Sequence, residues 1–352
     1  MAGRWISRMM LAALMMTAAA SPAVLAADAL WERYKTQFVT PDGRVVDFHQ
    51  DQASHSEGQG FGLLLAVAYN DRQTFDAIWR WTKGNLRLRH DALFAWLWGK
   101  RPNGAWEIID YNSATDGDIL VAFALLKGYQ RWHDEEYRTE ALKTVADLRT
   151  KVAVNWRDKT LLLPSYYGFA TPARIVLNPS YIVFPAYRLF AVFDNRAFWD
   201  KAYRDGFYVI SKSYFGEYPL PPDWVALYDG NSEILMEKGS LFGYEAIRVI
   251  LYLAQEKTRQ FEKGTEWMFA WYQRNGHIPR WVDLDKNSVS TAPASAGTYA
   301  TFAAAARRFG KPELAVKLAE EGRKTLDAEG TRNYYSFSLY LLSLSGALEV
   351  GD

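Results

Sequence analysis

The spacing of apolar and polar residues follows the helical period of about 3.6 residues along most of the chain. Continuous apolar runs, such as the Leu-Leu-Leu-Ala-Val-Ala segment at 63–68, recur between amphipathic stretches that carry most of the charge. Asp71 and Asp194 stand where capping residues are expected, ahead of two such stretches. The pattern predicts twelve helices, near 28–38, 60–70, 72–86, 118–132, 135–154, 180–193, 196–214, 240–257, 259–274, 293–309, 311–328 and 334–349.

Two kinds of predicted helix alternate along the chain. Every second helix is apolar or small-sided around its whole circumference, and such a helix has to be buried because a surface helix keeps a polar face. The helices between them are amphipathic. This alternation predicts an all-α fold, an (α/α)6 barrel of six inner and six outer helices, with an α-helical repeat solenoid as the alternative. The helices predicted to be buried are 60–70, 118–132, 180–193, 240–257, 293–309 and 334–349.

The first 26 residues have the composition of a secretory signal peptide. Arg4 and Arg8 give a positive start, and residues 9–20 form an uncharged apolar run that is short for a membrane span. We predict cleavage after Ala26, a periplasmic or secreted location, and a single domain over 27–352. A retained membrane anchor is the alternative.

Composition and charge exclude several classes of protein. The chain has no cysteine, so disulfides, thiolate nucleophiles and cysteine metal sites are ruled out. Its 41 basic and 40 acidic residues nearly cancel without forming blocks, which argues against a nucleic-acid partner and favours a neutral substrate. Many of the 14 Trp and 21 Tyr lie in polar or glycine-rich stretches, where rings can stack on sugar faces. We expect a monomer.

Polar clusters precede or open the predicted buried helices. If the inner helices run parallel, these ends meet at one mouth of the barrel, and residues far apart in sequence converge there. The clusters include 56–60 (Ser-Glu-Gly-Gln-Gly), 112–118 (Asn-Ser-Ala-Thr-Asp-Gly-Asp), 178–181 (Asn-Pro-Ser-Tyr) and 243–248 (Gly-Tyr-Glu-Ala-Ile-Arg).

Each cluster also has a purely structural interpretation. Glu57 and Asp116 are acceptable as acids that cap helix N-termini. Glu245 and Arg248 have the spacing of an ordinary surface ion pair. Against this last reading, Glu245 shares its predicted helical face with the apolar residues at 241, 249 and 252, so we expect that face to be buried.

Other common site chemistries lack their residues. His55-Ser56-Glu57 matches half of a zinc deaminase signature whose cysteines are absent. The glycines at 58, 60 and 62 do not form the dinucleotide fingerprint, and no strand is evident before them. Residues 116–118 lack the further ligands of a calcium loop. We therefore expect neither metal nor cofactor, and paired carboxylates, which cleave glycosidic bonds, remain as candidates.

The ordered set of motifs resembles glycoside hydrolase family 8 from about Trp31 to the C-terminus. Residues 56–62 resemble the segment that carries the family's general acid, and 95–100 (Ala-Trp-Leu-Trp-Gly-Lys) resembles its tryptophan strip. Residues 112–118 resemble its specific Asn-x-Ala-Ser/Thr-Asp-Gly-Asp run, and 178–181 and 244–248 match two further motifs. Within the family, the likeness is greatest to the periplasmic branch encoded with bacterial cellulose synthase.

The resemblance implies an inverting, cofactor-free enzyme that hydrolyses internal bonds of β-1,4-glucan. It implies Glu57 as the general acid and Glu245 as the general base, at a position where the relatives carry Asp. Asp116 would hold the sugar at the point of cleavage, and Arg248 would support the base. A loose association with the cellulose synthase machinery is also implied. The implied stacking or positioning residues are Trp98, Tyr181 and Tyr334.

Two other functions stay open beside this one. A barrel that binds glucan without cleaving it is compatible with the longer side chain at Glu245. A relative that acts on chitosan or xylan is compatible with the same motifs, although a polycationic substrate would favour a more acidic chain.

Overall fold

The computed structural model describes residues 22–330 and 332–351, and for residues 22–27 the backbone alone. Twelve α-helices occur in this part of the chain, as the sequence predicts. They are α1 (Pro22–Phe38), α2 (Ser56–Ala68), α3 (Arg72–Asn85), α4 (Thr115–Trp132), α5 (Glu135–Asp147), α6 (Phe184–Phe193), α7 (Arg196–Ser211), α8 (Ile247–Leu253), α9 (Glu262–Asn275), α10 (Ala296–Arg308), α11 (Pro312–Ala328) and α12 (Tyr334–Leu344).

The even-numbered helices form a closed inner ring. Each packs against the next, from α2 through α4, α6, α8 and α10 to α12, and α12 returns to pack against α2. The odd-numbered helices lie outside, α3 against α2, α5 against α4, α7 against α6 and α11 against α10. This is the predicted (α/α)6 barrel, and the closure of the ring excludes the solenoid.

Small residues allow the inner helices to pack closely. A Cβ on Gly60 of α2 would stand 2.6 Å from Leu120 Cβ of α4, and a Cβ on Gly297 of α10 would stand 2.6 Å from Ser336 O of α12. Below these contacts the inner helices are mainly apolar, and 119–126 of α4 is buried without interruption. The barrel interior is therefore a packed core, with no disulfide needed to support it.

Capping side chains start the outer helices α3 and α7, for which the sequence predicted caps. Asp71 accepts a hydrogen bond from Thr74 N at 3.0 Å, which confirms it as the cap of α3. The predicted cap Asp194 is wrong by one residue, because Asn195 accepts from Phe198 N at 3.1 Å and caps α7. The Asp194 carboxylate binds Arg149 instead.

In the described part of the chain, short strands pair in four small antiparallel sheets, mostly in connections between the predicted helices, although β9 and the start of β4 fall inside predicted helices. Strand β1 directly precedes α2, although no strand was evident there from the sequence. With two to five residues each, the strands are too short to show a period of two. They are β1 (Ser54–His55), β2 (Leu97–Lys100) and β3 (Trp106–Asp110), then β4 (Ala153–Trp156) with β5 (Lys159–Leu162), then β6 (Ile175–Leu177), β7 (Val225–Leu227) and β8 (Ser232–Ile234), and finally β9 (Leu241–Phe242), β10 (Val282–Asp283) and β11 (Ser288–Val289).

Helix α8 is much shorter than the predicted helix at 240–257. Residues 241–242 pair with β10 as strand β9, and 243–246 form a turn before the helix starts. The Asp223 carboxylate accepts hydrogen bonds from Glu245 N at 3.2 Å and Ala246 N at 2.7 Å, which fixes that turn. The prediction that Glu245 shares a helical face with 241, 249 and 252 is therefore wrong.

The predicted signal peptide lies mostly outside the described residues, which begin at Pro22. The predicted cleavage point after Ala26 falls inside α1 as described, so the cleavage remains a prediction. Among the described residues, no helix is both long and apolar enough to cross a bilayer.

Candidate active site

The N-terminal ends of several inner helices converge on one cleft of about 470 Å³. The convergence expected for parallel inner helices is thus observed. Of the seven residues predicted for the site, six line this cleft: Glu57, Asp116, Tyr181, Glu245, Arg248 and Tyr334.

Trp98 lies apart from the cleft lining. Its ring stacks on Trp106 at 5.1 Å between centroids and meets Trp81 edge-on at 5.3 Å. The ring that lines the cleft from this strip is Trp96, which stacks on His55. Trp96 and Trp98 are two residues apart in this strip but lie in different surroundings, and the sequence does not reveal this difference.

Glu57 and Asp116 come together because α2 and α4 begin side by side. Both residues occupy the first turn of their helix. A Cβ on Gly117 would fall 2.0 Å from Ser56 Oγ and 2.8 Å from Glu57 N, so only glycine permits this approach. The glycine in the Asp-Gly-Asp run thereby brings the two carboxyl groups into contact range.

Arg248 is the centre of the cleft and is buried to 2% exposure. Its Nη1 donates to Glu57 Oε1 and, at 2.8 Å, to Asp116 Oδ2. Glu245 Oε2 is farther away, 3.9 Å from Nη2. The guanidinium therefore bonds the acid side of the site, while its contact with the predicted base is only a longer ion pair.

Glu57 is set up to hold a proton at neutral pH. Burial raises the pKa of its carboxyl to about 8, and the charges of Asp116 and Glu245 add to the effect, while Arg248 opposes it. Tyr334 Oη lies 3.4 Å from Glu57 Oε2. The helix N-terminus favours the anion, and burial beside other carboxylates outweighs it here.

Glu245 stands on the other side of Arg248, in the turn before α8. Its side chain is 35% exposed at the cleft. Burial raises its pKa to about 7, with contributions from the charges of Asp223 and Asp116, and Arg248 again opposes the shift. A carboxyl that loses its proton near neutral pH suits a general base.

A chain of hydrogen bonds links the two carboxyl groups through the 178–181 motif. Asn178 Nδ2 donates to Glu245 Oε2, and Asn178 Oδ1 accepts from Ser180 Oγ at 2.7 Å. Ser180 Oγ in turn accepts from Arg248 Nη2 at 3.0 Å, and Arg248 binds Glu57. The amide and hydroxyl thus orient the base relative to the acid.

The family is decided by comparison with known sequences. The model of glycosyl hydrolases family 8 matches residues 4–347. The protein belongs to glycosyl hydrolase family 8.

Individual relatives agree with this family. An endoglucanase of Cellulomonas uda is 37% identical over 267 residues, which cover 75% of this chain and 73% of that protein. A probable endoglucanase of Novacetimonas hansenii is 33% identical, over 79% of this chain and 82% of its own. The crystal structure of the family 8 endoglucanase Cel10 from Klebsiella pneumoniae superposes with a TM-score of 0.80 at 34% identity, covering 90% of this chain and 98% of that one.

This family 8 site contains residues that the sequence analysis did not assign. Asn178 and Ser180 lie in a motif that was noticed, so their proximity to the site was the available signal. Asp223 precedes Glu245 by 22 residues and belongs to no motif, so nothing in the sequence pointed to it. Tyr244 and Tyr335 stack at 4.2 Å between centroids and also line the cleft. Tyr244 lies in the 243–248 cluster and Tyr335 follows Tyr334, so proximity was again the available signal.

The described part of this family 8 protein contains no group of three or more His, Asp or Glu residues arranged to hold a metal ion. The titratable groups that face the cleft are carboxyls, an arginine, tyrosines and histidine. Acid–base chemistry on a glycosidic bond is what this set of groups can perform.

Proposed function

We propose that the protein is an endo-β-1,4-glucanase that cleaves by an inverting acid–base mechanism. The observation that carries the proposal is the pair of carboxyls in one cleft, Glu57 with a pKa of about 8 and Glu245 with a pKa of about 7. At neutral pH one of them keeps its proton while the other loses it, which separates acid from base. Relatives bearing the name endoglucanase support the substrate class.

In the proposed reaction Glu57 donates its proton to the glycosidic oxygen as the bond to the anomeric carbon breaks. Glu245 accepts a proton from the water that attacks that carbon from the opposite face. The turnover leaves Glu57 ionised and Glu245 protonated, and exchange with solvent restores both. Inversion requires the carboxyls to stand about 6.5–9.5 Å apart; the Arg248 guanidinium stands between them, bonding Glu57 and approaching Glu245.

The remaining cleft residues bind the sugar in this scheme. Asp116, held by Arg248 at 2.8 Å, accepts hydrogen bonds from the sugar hydroxyls at the point of cleavage. Tyr181 and Tyr334 contribute ring faces and edges to the same cleft. The cleft opens to solvent at Tyr244, which is 55% exposed, so a chain can extend past the cleavage point and be cut internally.

We further propose that the enzyme acts outside the cytoplasm as a monomer, in loose association with cellulose synthesis. The location is supported by the signal-like N-terminus, with Arg4, Arg8 and the uncharged 9–20 run. N-terminal sequencing of the exported protein tests this, and a mature chain that starts at residue 27 is expected. Retention of residues 1–26 in the exported protein contradicts the proposed cleavage.

A substrate panel tests the activity. We expect the enzyme to release reducing ends from carboxymethyl cellulose and mixed-linkage glucan, and to release far fewer from xylan or chitosan. Proton NMR of the first product should show inversion at the anomeric carbon. Binding of glucan without release of reducing ends would identify a non-catalytic barrel, and retention of configuration would reject the mechanism.

A further inference from the structure

A second aromatic surface lies outside the active-site cleft. Tyr111, Tyr166 and Tyr167, which we call the tyrosine patch, are 55%, 37% and 60% exposed, and Leu88 beside them is 58% exposed. They surround a hollow of about 420 Å³ that Asn112 also lines. Exposed rings gathered in one place are unusual on a monomer and mark binding surfaces.

The backbone of the tyrosine patch is held in place, and two of its rings contact each other. Tyr166 N donates to Ser113 Oγ at 3.2 Å, and Asn112 Nδ2 donates to Tyr167 O at 3.4 Å. Arg89 donates to Tyr111 O and covers the ring of Tyr166 at 5.6 Å. The rings of Tyr166 and Tyr167 meet at right angles, 4.4 Å between centroids. The backbone that carries these rings therefore needs little ordering on binding, which favours affinity.

The charges around the patch are compensated. Arg89 forms two hydrogen bonds of 2.9 Å with the Asp91 carboxylate. Lys151 pairs with Asp147 at 3.1 Å. Ring faces together with an amide and paired charges suit an uncharged polyhydroxylated chain rather than an anion.

The patch and the active-site cleft share a wall. Asn112 lines the hollow, whereas Ala114 and Asp116, two and four residues on, line the cleft. Trp96, which lines the cleft, donates its backbone N–H to Asn112 O at 2.9 Å. The hollow and the cleft are therefore neighbours, separated by only a few residues of the 112–116 segment.

We propose that the tyrosine patch is a second glucan-binding site, which holds a β-1,4-glucan chain beside the cleft. This rests on the proposed glucanase activity. The patch adds affinity for long chains, because a second contact on one chain raises the effective concentration of the first. Short oligosaccharides, which occupy the cleft alone, gain little from it.

Binding of amorphous cellulose and of cellotetraose by the Tyr111→Ala/Tyr167→Ala variant tests the proposal. Both measurements are made in a Glu57→Gln background, so that the ligand is not consumed. We expect the affinity for amorphous cellulose to fall about three- to tenfold, the range for losing ring contacts, and the affinity for cellotetraose to change far less. Tyr111→Phe/Tyr167→Phe keeps the rings and should retain cellulose binding.

Val316→Ala is the matched control, since Val316 is 58% exposed on the outer helix α11 and should affect neither ligand. Equal cellulose affinity in the alanine variant and its parent overturns the second site, and so does an equal loss on both ligands. Hydrolysis of carboxymethyl cellulose by the unmodified protein is assayed alongside. If that hydrolysis is absent, the proposed glucanase activity fails, whatever the patch variants do.

Discussion

The two ends of the inner helices differ in what they bury. Helix α4 begins with Thr115, Asp116 and Asp118, all at most 2% exposed, and then continues through 119–126 with apolar side chains only. Helix α2 likewise begins with Ser56 and continues through apolar 63–67. In these two helices the buried charges and hydroxyls lie at the mouth and the residues that follow are apolar, although α10 and α12 also bury a hydroxyl pair further down, Thr301 with Ser343.

Burial of polar groups at the mouth has a cost in stability. Among the described residues, the buried atoms Ser56 Oγ, Asp118 Oδ2 and His55 Nε2 have no hydrogen-bond partner in the protein. Buried carboxyls keep raised pKa values there, as with Asp118, whose pKa lies well above its usual value because of burial. The packed apolar interior therefore offsets the stability that is lost at the mouth, where polar groups are arranged for catalysis.

The largest expected effect is at the mouth. Glu57→Gln should lower kcat by about 10²–10⁴-fold, since it removes the proton that the leaving oxygen needs. Initial rates on carboxymethyl cellulose measure it. Glu136→Gln, at an exposed site on α5, is the control and should behave as the unmodified protein. Normal turnover in a folded Glu57→Gln variant would remove Glu57 from the acid role.

The interior should respond in stability rather than in catalysis. Phe123 is fully buried in α4. Phe123→Ala should lower the free energy of unfolding by about 3–5 kcal/mol, as cavities in packed cores do. Turnover per folded molecule should stay near normal. Urea unfolding and active-site titration separate the two quantities, and a large fall in kcat with little loss of stability would break the comparison.

Glu245 sharpens the comparison because its position matters as well as its charge. Glu245→Ala should be nearly inactive, whereas Glu245→Asp should keep activity reduced by up to about 10²-fold, because a shift of roughly 1 Å is enough for such a loss. Steady-state kinetics on a soluble glucan measure both. Full activity in a folded Glu245→Ala variant would place the base elsewhere.

The loss of stability caused by burying the Glu57 carboxyl at the mouth can be tested by varying the pH. The Glu57 carboxyl has a pKa of about 8 in the folded protein against an ordinary 4.5, so the native state binds more protons between these values. Stability should therefore fall as pH rises through this window. Glu57→Gln, which stays neutral, should be more stable than the unmodified protein at pH 8 by about 1–3 kcal/mol. Thermal unfolding at pH 5 and pH 8 checks this; a gap that does not widen with pH contradicts it.

The smallest expected effect is a shift in the pH–rate profile. Activity should fall below about pH 7 as Glu245 gains a proton and above about pH 8 as Glu57 loses one. The hydrogen bond from Asn178 lowers the pKa of Glu245, so Asn178→Ala should move the acidic limb to higher pH. An acidic limb that stays in place would show that Asn178 does not act on the base.

Much of the barrel could be predicted because its determinants are local. The apolar circumference of 63–68 and the amphipathic pattern of 311–328 assign each helix to its ring without any knowledge of its neighbours. The motifs at 56–62 and 112–118 are likewise continuous, so the family resemblance that implies roles for Glu57 and Asp116 could be recognised from local sequence. The predicted helix at 240–257 failed because strand β9 and the Asp223 carboxylate, both supplied by distant contacts, shorten it to seven residues.

The sequence by itself determined the class of fold, the alternation of the two rings, the family resemblance and six of the residues in the cleft. Only the tertiary structure decided that Arg248 bonds Glu57 and Asp116 more closely than Glu245, that Trp96 rather than Trp98 lines the cleft, and that Asn178 orients the base. The physical reason is the reach of each interaction. Helix periodicity acts within a few residues, whereas the environment of these carboxyls comes from distant segments. Arg248 and Tyr334 contact Glu57 from 191 and 277 residues away.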